Sequence, residues 1–338
     1  MSLWYRLKTS VVSVWRLFQL TSDDKKDFID SFEFFQEMQC GAVTETAEET
    51  KKVAAYYKVL NNLLAVFDIE KLYIPPQLDA SKGLYGNQLL CEKDLLKELK
   101  LDNPQESHLL DMGCGRGRVA HHFARSTGGQ VSGYNIDSNQ IENAVTWAEH
   151  EHMGERLHFQ TGNHHESFKY DNDSFDGCYS VQAVWPFTKK DEIRHVADEM
   201  FRVLKPGAHY ACTEYLLTPF FDWDNYEHVA LQKKYMPTLA ATHSMYEGDV
   251  CAALKEAGFE ICLSAPSKSV AWPVVNQKRD LILAARKLIW VLEALYLSPK
   301  WLGKGLELLQ SGGEAWTTAE KAKISDFNWR IVAKKPCV

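Results

Sequence analysis

The segment Leu-Leu-Asp-Met-Gly-Cys-Gly-Arg-Gly, at residues 109–117, decides the fold. A short apolar run ends there in an acid and then in three glycines at every second position. A strand followed by such a turn lets the backbone pass close to a ligand, because glycine has no Cβ. The acid, Asp111, would repel a pyrophosphate but could accept hydrogen bonds from an ammonium group. The spacing also differs from the Gly-x-Gly-x-x-Gly of dinucleotide sites.

Strand-like and helix-like segments alternate around this turn. Short apolar stretches predict strands at residues 108–112, 130–134, 157–160, 175–181 and 208–214. The helices predicted between them cover residues 119–126, 138–152 and 191–204. This alternation is typical of a parallel sheet with helices on both faces. The sequence therefore predicts an α/β fold, preceded by a helical region over residues 1–75.

Composition limits the classes of function. The chain has 338 residues, of which 45% are hydrophobic and 25% charged, as in a globular protein. Its formal net charge of -7 argues against a sequence-independent nucleic-acid binder, which needs a basic face. Its eight cysteines include no Cys-x-x-Cys pair, so we expect reduced thiols in an intracellular protein. We expect no metal site, because the neighbouring histidines at 121–122 and 164–165 point apart on a helix or strand.

The N-terminal segment permits two interpretations. Residues 1–22 contain Arg6, Lys8 and Arg16 and no acid. The segment resembles an organelle transit peptide, but it also suits a basic amphipathic helix that packs on the protein or lies on a membrane. We expect no integral membrane span, because no apolar stretch reaches the ~18 residues that one needs. The compartment, cytoplasmic or organellar, and the oligomeric state, with a homodimer among the options, stay open.

Residues 105–262 together resemble the class I S-adenosylmethionine-dependent methyltransferases. The likeness rests on the glycine turn, on the fourth strand that opens at Phe175 and on residues 203–207 before the fifth. It implies a Rossmann-like sheet with a helical N-terminal extension and a C-terminal appendage of helices and a strand. It also implies that S-adenosylmethionine is the cofactor. The residues expected to hold it are Asp111, Gly113, Cys114, Gly115, Gly117, Asn135, Ile136, Gln140, Asn163, His164 and Gln182.

Two of these residues depart from the family pattern. The second strand normally ends in an acid for the ribose hydroxyls, and Asn135 stands there. Asn163 stands where an aspartate usually meets the adenine, and its carbonyl could make the same hydrogen bond. Each asparagine would also suit an ordinary turn.

The resemblance divides the chain into three regions. Residues 1–100 would be a helical region that contributes to a lid and to the acceptor site. Residues 101–265 would bind S-adenosylmethionine and carry an aromatic-rich insertion at 215–248. Residues 266–338 would form the C-terminal region.

Other stretches are similar to the sterol side-chain methyltransferases, at residues 133–141, 213–215, 224–228 and in the tail from 291 to 336. The sterol enzymes carry Glu-Ala-Thr-Cys-His after the fourth strand, where this chain has Gln182 and Pro186 in place of the acid and the histidine. Sterol alkylation needs acids, aromatic faces and a base. The losses predict a simpler reaction, in a pocket that Trp185 and Pro186 make smaller.

A thioether acceptor fits these losses, because sulfur has a lone pair and no proton to release. The whole pattern resembles the methylthiohydroxybutyrate S-methyltransferases of dimethylsulfoniopropionate synthesis. That resemblance implies in-line methylation of 4-methylthio-2-hydroxybutyrate to a sulfonium, without an obligatory general base. A carboxylate acceptor would need a cationic partner, for which Arg116 and Arg118 are candidates.

The remaining candidates are polar and aromatic residues expected near the acceptor. Those expected to act in the reaction, with aromatic faces for a sulfonium, are Tyr85, Trp185, Tyr215 and Tyr246. Those expected to bind the acceptor, besides the two arginines, are Gln88, His122, Glu214, His228 and His243.

Alternatives from other classes stay open. A sterol 24-C-methyltransferase with a reworked pocket or a small-amine N-methyltransferase would share the cofactor site. A non-catalytic cofactor-binding module and a dehydrogenase are weaker rivals, since the turn keeps Asp111.

Overall fold

The chain folds into two compact units. The computed structural model describes residues 3–38, 46–66, 73–271, 279–295 and 299–337. The helical unit comprises Met1–Ile74, Asp222–Thr242 and Trp272–Ala319. The sheet unit comprises Pro75–Phe221, His243–Ala271 and Glu320–Val338.

A seven-stranded sheet forms the centre of the sheet unit. Its strands are β1 (His108–Met112), β2 (Gln130–Asn135), β3 (Leu157–Thr161), β4 (Phe175–Val181), β5 (Leu204–Leu217), β6 (Glu260–Ala265) and β7 (Ser325–Lys334). They lie in the order β3-β2-β1-β4-β5-β7-β6, and β7 runs antiparallel to both of its neighbours. The pairings from β3 across to β5 are parallel. The predicted α/β, Rossmann-like sheet is confirmed.

Helices alternate with the strands and also make up the helical unit. In chain order the described helices are α1 (Leu3–Phe18), α2 (Ser22–Met38), α3 (Thr46–Val66), α4 (Gly83–Glu98), α5 (Arg118–Thr127), α6 (Ser138–His150), α7 (Ile193–Val203), α8 (Tyr226–Leu239), α9 (Glu247–Glu256), α10 (Arg279–Ala294) and α11 (Lys300–Lys321). A short 3-10 helix spans Trp185–Phe187. None of the described helices is both long enough and apolar enough to cross a membrane.

The core of the sheet unit explains why its strands read as apolar runs. Leu110 and Met112 of β1 are fully buried in one cluster with Met200 of α7, Leu254 of α9 and Ile331 of β7. Strands that are covered on both faces keep few polar positions. An acid such as Asp111 at the end of β1 is therefore exceptional, and it calls for a partner.

The strand order places the glycine turn at a particular point of the sheet. Between β1 and β4 the order reverses, because β2 and β3 lie on one side and β4 and β5 on the other. Ligands of open α/β sheets bind at the carboxyl ends of the strands beside such a reversal. Residues 113–117 follow the carboxyl end of β1 directly.

The C-terminal strand is part of the sheet rather than an appendage to it. β7 lies between β5 and β6 and pairs with both. Ser325 pairs with Leu217 of β5, and Lys334 pairs with Glu260 of β6. The chain reaches this inner position only after it has left the sheet unit for α10 and α11. The two units therefore interleave along the sequence.

Aromatic packing builds the core of the helical unit. Phe28, Phe32 and Phe35 of α2 surround the fully buried Tyr56 of α3, with ring centroids 5.4–5.5 Å from its ring. The predicted helical region over residues 1–75 is confirmed for the described segments α1, α2 and α3. Helix α8 packs against α2, so this part of the insertion belongs with the N-terminal helices.

Candidate functional site

The glycine turn has a backbone that only glycine adopts readily. Gly113, Gly115 and Gly117 have φ values of +71°, +56° and +77°. The amides of Gly113 and Cys114 both donate to the carbonyl oxygen of Tyr134 at 3.0 Å, which fixes the turn to the end of β2. An L-residue at these φ values is strained. The backbone of the turn is therefore accessible to a ligand at close range. We call residues 113–117 the cradle.

Neighbouring side chains pack closely against the cradle at Gly113 and at Gly117. A Cβ placed on Gly113 would lie 2.5 Å from the Cβ of Ala183, and one on Gly117 would lie 2.5 Å from the Phe159 ring. At Gly115 the nearest atom to an added Cβ is Oε1 of Gln140, at 3.2 Å. Gln140 was expected to bind the cofactor, and the structure brings it to this face of the turn.

Asp111 is a buried carboxyl group in need of a partner. Its Oδ2 is buried and makes no hydrogen bond within the described residues. Burial raises the pKa of Asp111 to about 7, although the nearby Tyr179 hydroxyl and Ala120 amide lower it. An ammonium group at this point would supply both the missing hydrogen bond and the missing charge. The residues present thus fit the amino-acid end of S-adenosylmethionine.

The end of β2 divides its polar groups between two tasks. Asp137 caps α6, because its Oδ1 accepts from the amide of Asn139 at 2.9 Å. Asn135 and Ile136 are half-buried, and the Asn135 carbonyl accepts from the Gly162 amide at 3.1 Å. The cap commits the acid to the helix, so Asn135 remains the candidate for a ribose hydroxyl.

At the end of β3 the expected adenine residues form a turn. Oδ1 of Asn163 accepts from the amide of His165 at 3.1 Å, which is the turn role that we had set beside adenine binding. His164 is buried and its ring lies 4.3 Å from that of His165. His165 in turn contacts the Phe187 carbonyl at 2.9 Å and pairs with Glu192. Asn163 is left with one carbonyl lone pair and its amide for a ligand.

Glu214 shapes the cradle from behind. It is fully buried and accepts from the Ser180 hydroxyl at 2.6 Å and from the amides of Ala183 and Val184 at 3.0 and 3.3 Å. Burial raises its pKa to about 7, against these hydrogen bonds. We had expected Glu214 to bind the acceptor. The structure instead places it where it fixes the loop that carries Ala183 against Gly113.

The loop after β4 carries two of the expected site residues, Gln182 and Trp185. Gln182 has φ +50°, and its Nε2 donates to the Phe327 carbonyl at 2.8 Å and to Oδ1 of Asn328 at 3.1 Å. Trp185 is fully buried in the apolar core, where its Nε1 donates to the Tyr210 hydroxyl at 3.1 Å. A side chain in that position does not line an acceptor pocket. Our expectation that Trp185 reduces a pocket is therefore corrected.

The buried carboxylate of Glu92 pairs with both Arg118 and His122. Glu92 of α4 is 1% exposed and accepts from Nη1 of Arg118 at 2.9 Å, with a second contact from Nη2. Nδ1 of His122 lies 2.6 Å from Oε2 of the same carboxylate, the oxygen that also accepts from Nη1 of Arg118. Both residues were expected to bind the acceptor. In the structure the three form one ionic cluster that ties α4 to the first turns of α5.

The ionic cluster makes a testable prediction. Glu92→Gln removes the negative charge and leaves the half-buried Arg118 guanidinium without its counter-ion, so we expect a loss of about 3 kcal/mol in unfolding free energy. Denaturant unfolding measures this loss. The matched control is Glu151→Gln, which breaks the exposed pair with Arg125 of α5 and should cost less than about 1 kcal/mol. Equal losses in the two variants would show that the Glu92 cluster is no stronger than a surface pair.

Five further candidates lie at separate positions of the sheet unit. Tyr85 is 54% exposed on α4, whereas Gln88 on the same helix is fully buried. Tyr215 is buried, with its hydroxyl 3.2 Å from Ser244 Oγ, and the Tyr246 hydroxyl donates to the Phe221 carbonyl at 3.1 Å. The His243 amide donates to the Pro186 carbonyl at 3.0 Å.

Two further candidates are His228 and Arg116. His228 belongs to the helical unit, where its Nδ1 accepts from the Asp222 amide at 3.1 Å. Arg116 is half-buried within the glycine turn. In the described part of the chain, no three His, Cys, Asp or Glu side chains come together as a metal ion would require.

The structure adds residues that sequence reasoning missed. Gly133 lets β2 approach the turn, because a Cβ there would lie 2.8 Å from the Cβ of Cys114. Ala183, Ser180 and Glu92 support the cradle or the helix that follows it. Only Gly133 carried a signal, as a glycine inside a strand.

Comparison with known proteins agrees with this geometry. Residues 109–207 match the family described as "Methyltransferase domain". A sterol 24-C-methyltransferase of Gibberella zeae is 30% identical over 253 residues, which are 68% of this chain and 65% of that protein. A 24-methylenesterol C-methyltransferase of Oryza sativa is 27% identical over 341 residues, 94% of this chain and 87% of that protein. The chain thus spans 65% of the length of the fungal relative.

A solved structure shows the same fold. The geranyl diphosphate C-methyltransferase from Streptomyces coelicolor, in complex with Mg2+, geranyl diphosphate and S-adenosyl-L-homocysteine, has a TM-score of 0.61. It is 14% identical, and the likeness covers 86% of this chain and 99% of that chain. At this level of identity the likeness concerns the fold alone.

Proposed function

We propose that this chain, which carries a class I methyltransferase domain, transfers a methyl group from S-adenosylmethionine to a small-molecule acceptor. One observation carries the proposal. The unpartnered Oδ2 of Asp111 and the three positive-φ glycines lie together at the reversal of the strand order. That combination suits a ligand with an ammonium group that must approach the backbone closely.

The cofactor supplies an electrophilic methyl group on a sulfonium. In this proposal Asp111 accepts from its ammonium, and the backbone at 113–117 lies along its amino-acid part. Asn135 and Gln140 face the ribose, and Asn163 and His164 face the adenine. Glu214 touches none of these groups and acts by holding Ala183 against the turn.

For the acceptor, the relatives support a sterol-like carbon more than a thioether. The rice C-methyltransferase aligns over 94% of this chain, which includes the regions outside the cofactor domain. Two residues expected to favour a small carboxylate thioether also have other roles in the structure. Arg118 is held by Glu92, and Trp185 is a core residue. We therefore place a sterol-like alkene first among the acceptors.

S-Methylation of 4-methylthio-2-hydroxybutyrate, the reaction of dimethylsulfoniopropionate synthesis, remains the second candidate on one observation. Gln182 and Pro186 stand where the sterol enzymes carry an acid and a histidine, and Gln182 is hydrogen-bonded to β7. Transfer to carbon must end with the loss of a proton, so it needs a base, whereas transfer to sulfur does not. An amine acceptor would also have to lose a proton.

An acceptor panel separates these candidates. The full chain is incubated with S-adenosylmethionine and, in separate reactions, with a Δ24-sterol, 4-methylthio-2-hydroxybutyrate, methionine, glycine or phosphoethanolamine. Formation of S-adenosylhomocysteine is the readout. We expect turnover with the sterol. Turnover of the thioether without the sterol would reverse the order of the two candidates, and turnover of an amine alone would overturn both.

A further inference from the structure

Helix α1 presents its larger apolar side chains to solvent rather than to the protein. Val11, Trp15 and Phe18 are 67%, 58% and 82% exposed, and Val14 is exposed as well. The spacing of 11, 14, 15 and 18 places all four on one stripe of the helix. A helix that packs only on the protein core turns its apolar stripe toward that core, not toward solvent. The exposed stripe therefore indicates an interaction site for another apolar partner.

The other face of α1 is already packed within its own unit. Ser13, about 200° around the helix axis from Val11, is buried, and α1 packs against α3. The exposed stripe is thus not the side that holds the helix in place. Its exposure is a property of a docked helix rather than of an unattached one.

The charge of α1 identifies the kind of partner. The helix carries Arg6, Lys8 and Arg16 and has no acidic residue between Leu3 and Phe18, although the whole chain has a net charge of -7. Arg16 is exposed on the flank of the helix, about 100° around the axis from Trp15, so an exposed cation borders the apolar stripe. Basic residues beside an aromatic-rich stripe match an anionic lipid surface, where the rings enter the interface and the cations meet the headgroups.

We infer that the α1 stripe (Val11, Val14, Trp15 and Phe18) binds the protein to the surface of an anionic phospholipid bilayer. Helix α1 lies in the plane of the interface, with Trp15 and Phe18 among the upper acyl chains. Arg16 contributes by attraction to the headgroup charge, which salt weakens. The inference does not depend on the identity of the methyl acceptor.

Vesicle sedimentation tests this inference on the full chain. Wild type should co-sediment with vesicles of phosphatidylcholine mixed with phosphatidylserine, and less with phosphatidylcholine alone or at high salt. Trp15→Ser combined with Phe18→Ser should lower the partition coefficient at least about tenfold, because two large apolar groups no longer leave water. Arg16→Gln should reduce the preference for phosphatidylserine. Gln19→Ser, at a neighbouring exposed position, is the matched control and should bind as wild type does.

Three outcomes would overturn the inference. They are no binding of wild type to either vesicle, equal binding of the Trp15/Phe18 double variant, or a stripe that joins two copies instead. Light scattering detects the last outcome as an oligomer in wild type that becomes a monomer in the double variant, without vesicle binding. Unchanged circular dichroism and S-adenosylmethionine titration would show that the double variant is folded.

Discussion

Asp111→Asn is expected to weaken S-adenosylmethionine binding roughly 10- to 100-fold, while the free protein stays folded. The substitution keeps the shape of the side chain and removes the charge that meets the ammonium. A charge-assisted hydrogen bond of this kind contributes about 1.5–3 kcal/mol, which corresponds to that loss of affinity. Isothermal titration with S-adenosylmethionine measures it.

The sign of the stability effect separates binding from folding. Burial raises the pKa of Asp111 to about 7, above its ordinary value of 3.8, so the folded state holds the proton more tightly than the unfolded state. The favourable contribution of this group to stability is therefore present below pH 4 and is lost as the pH rises to 7. Above pH 7 the asparagine variant should unfold at the same denaturant concentration as wild type, or at a higher one.

The same pKa makes cofactor binding depend on pH. An ammonium ligand lowers the pKa of Asp111, so binding below pH 7 must release a proton. We expect affinity to fall roughly eightfold between pH 7.5 and pH 6 in wild type. Glu214 titrates in the same range but is held by Ser180, Ala183 and Val184. Asp111→Asn should therefore remove the pH dependence of binding.

The control for Asp111 lies at the amino-terminal ends of β1 and β4, away from the glycine turn. Asp176 is the second residue of β4, where it accepts from the His108 amide at 2.9 Å and pairs with Lys205 at 2.7 Å. Asp176→Asn should leave cofactor affinity unchanged at every pH. If it weakens binding as much as Asp111→Asn does, the effect comes from general loss of structure.

Gly113→Ala is expected to have the second large effect, on both folding and binding. The backbone there has φ +71°, and the new Cβ would lie 2.5 Å from that of Ala183. Left-handed backbone costs an alanine about 1–2 kcal/mol, and overpacking adds about 1–3 kcal/mol. We expect a loss of roughly 2–5 kcal/mol in unfolding free energy, together with a large loss of S-adenosylmethionine affinity as the turn shifts.

A matched glycine and a milder variant complete that experiment. An added Cβ on Gly154 would have no atom of the described residues within 4 Å, so Gly154→Ala should change stability by less than about 0.5 kcal/mol. If Gly113→Ala does not fold, Gly115→Ala replaces it, because its nearest neighbour is the end of the Gln140 side chain at 3.2 Å. Normal cofactor affinity in Gly115→Ala would contradict the role given to the turn.

Much of the fold follows from local sequence. The strand segments alternate with helices at regular distances, and the glycine turn occurs at the end of β1, where the ligand edge of such a sheet lies. β7 was harder to place. Its position between β5 and β6 depends on pairing with residues more than sixty positions away, which no local pattern encodes.

The site was less predictable than the fold, because residue type does not reveal a partner. Arg118 looked like a free cation until the structure placed Glu92, 26 positions earlier, against it. Trp185 looked like a pocket aromatic, but its indole completes the core beside Tyr210. Glu214 looked like an acid that binds the acceptor. Its carboxylate instead accepts three hydrogen bonds, from the hydroxyl of Ser180 in β4 and from the amides of Ala183 and Val184 in the loop behind Gly113. Asp111 was predictable because it stands at the end of an apolar strand, directly before the glycine turn, where an acid needs a partner.

The central claim is that the turn with Asp111 holds a cofactor whose methyl group is transferred. The most direct measurement is a single-turnover reaction with S-adenosylmethionine that carries an isotopic label on the methyl group, followed by mass spectrometry of the acceptor. We predict labelled acceptor and S-adenosylhomocysteine in equal amounts from wild type, with a rate that Asp111→Asn lowers at subsaturating cofactor. Tight binding of S-adenosylmethionine without labelled product from the sterol, the thioether or the amines would contradict the account and would identify a module that binds the cofactor without using it.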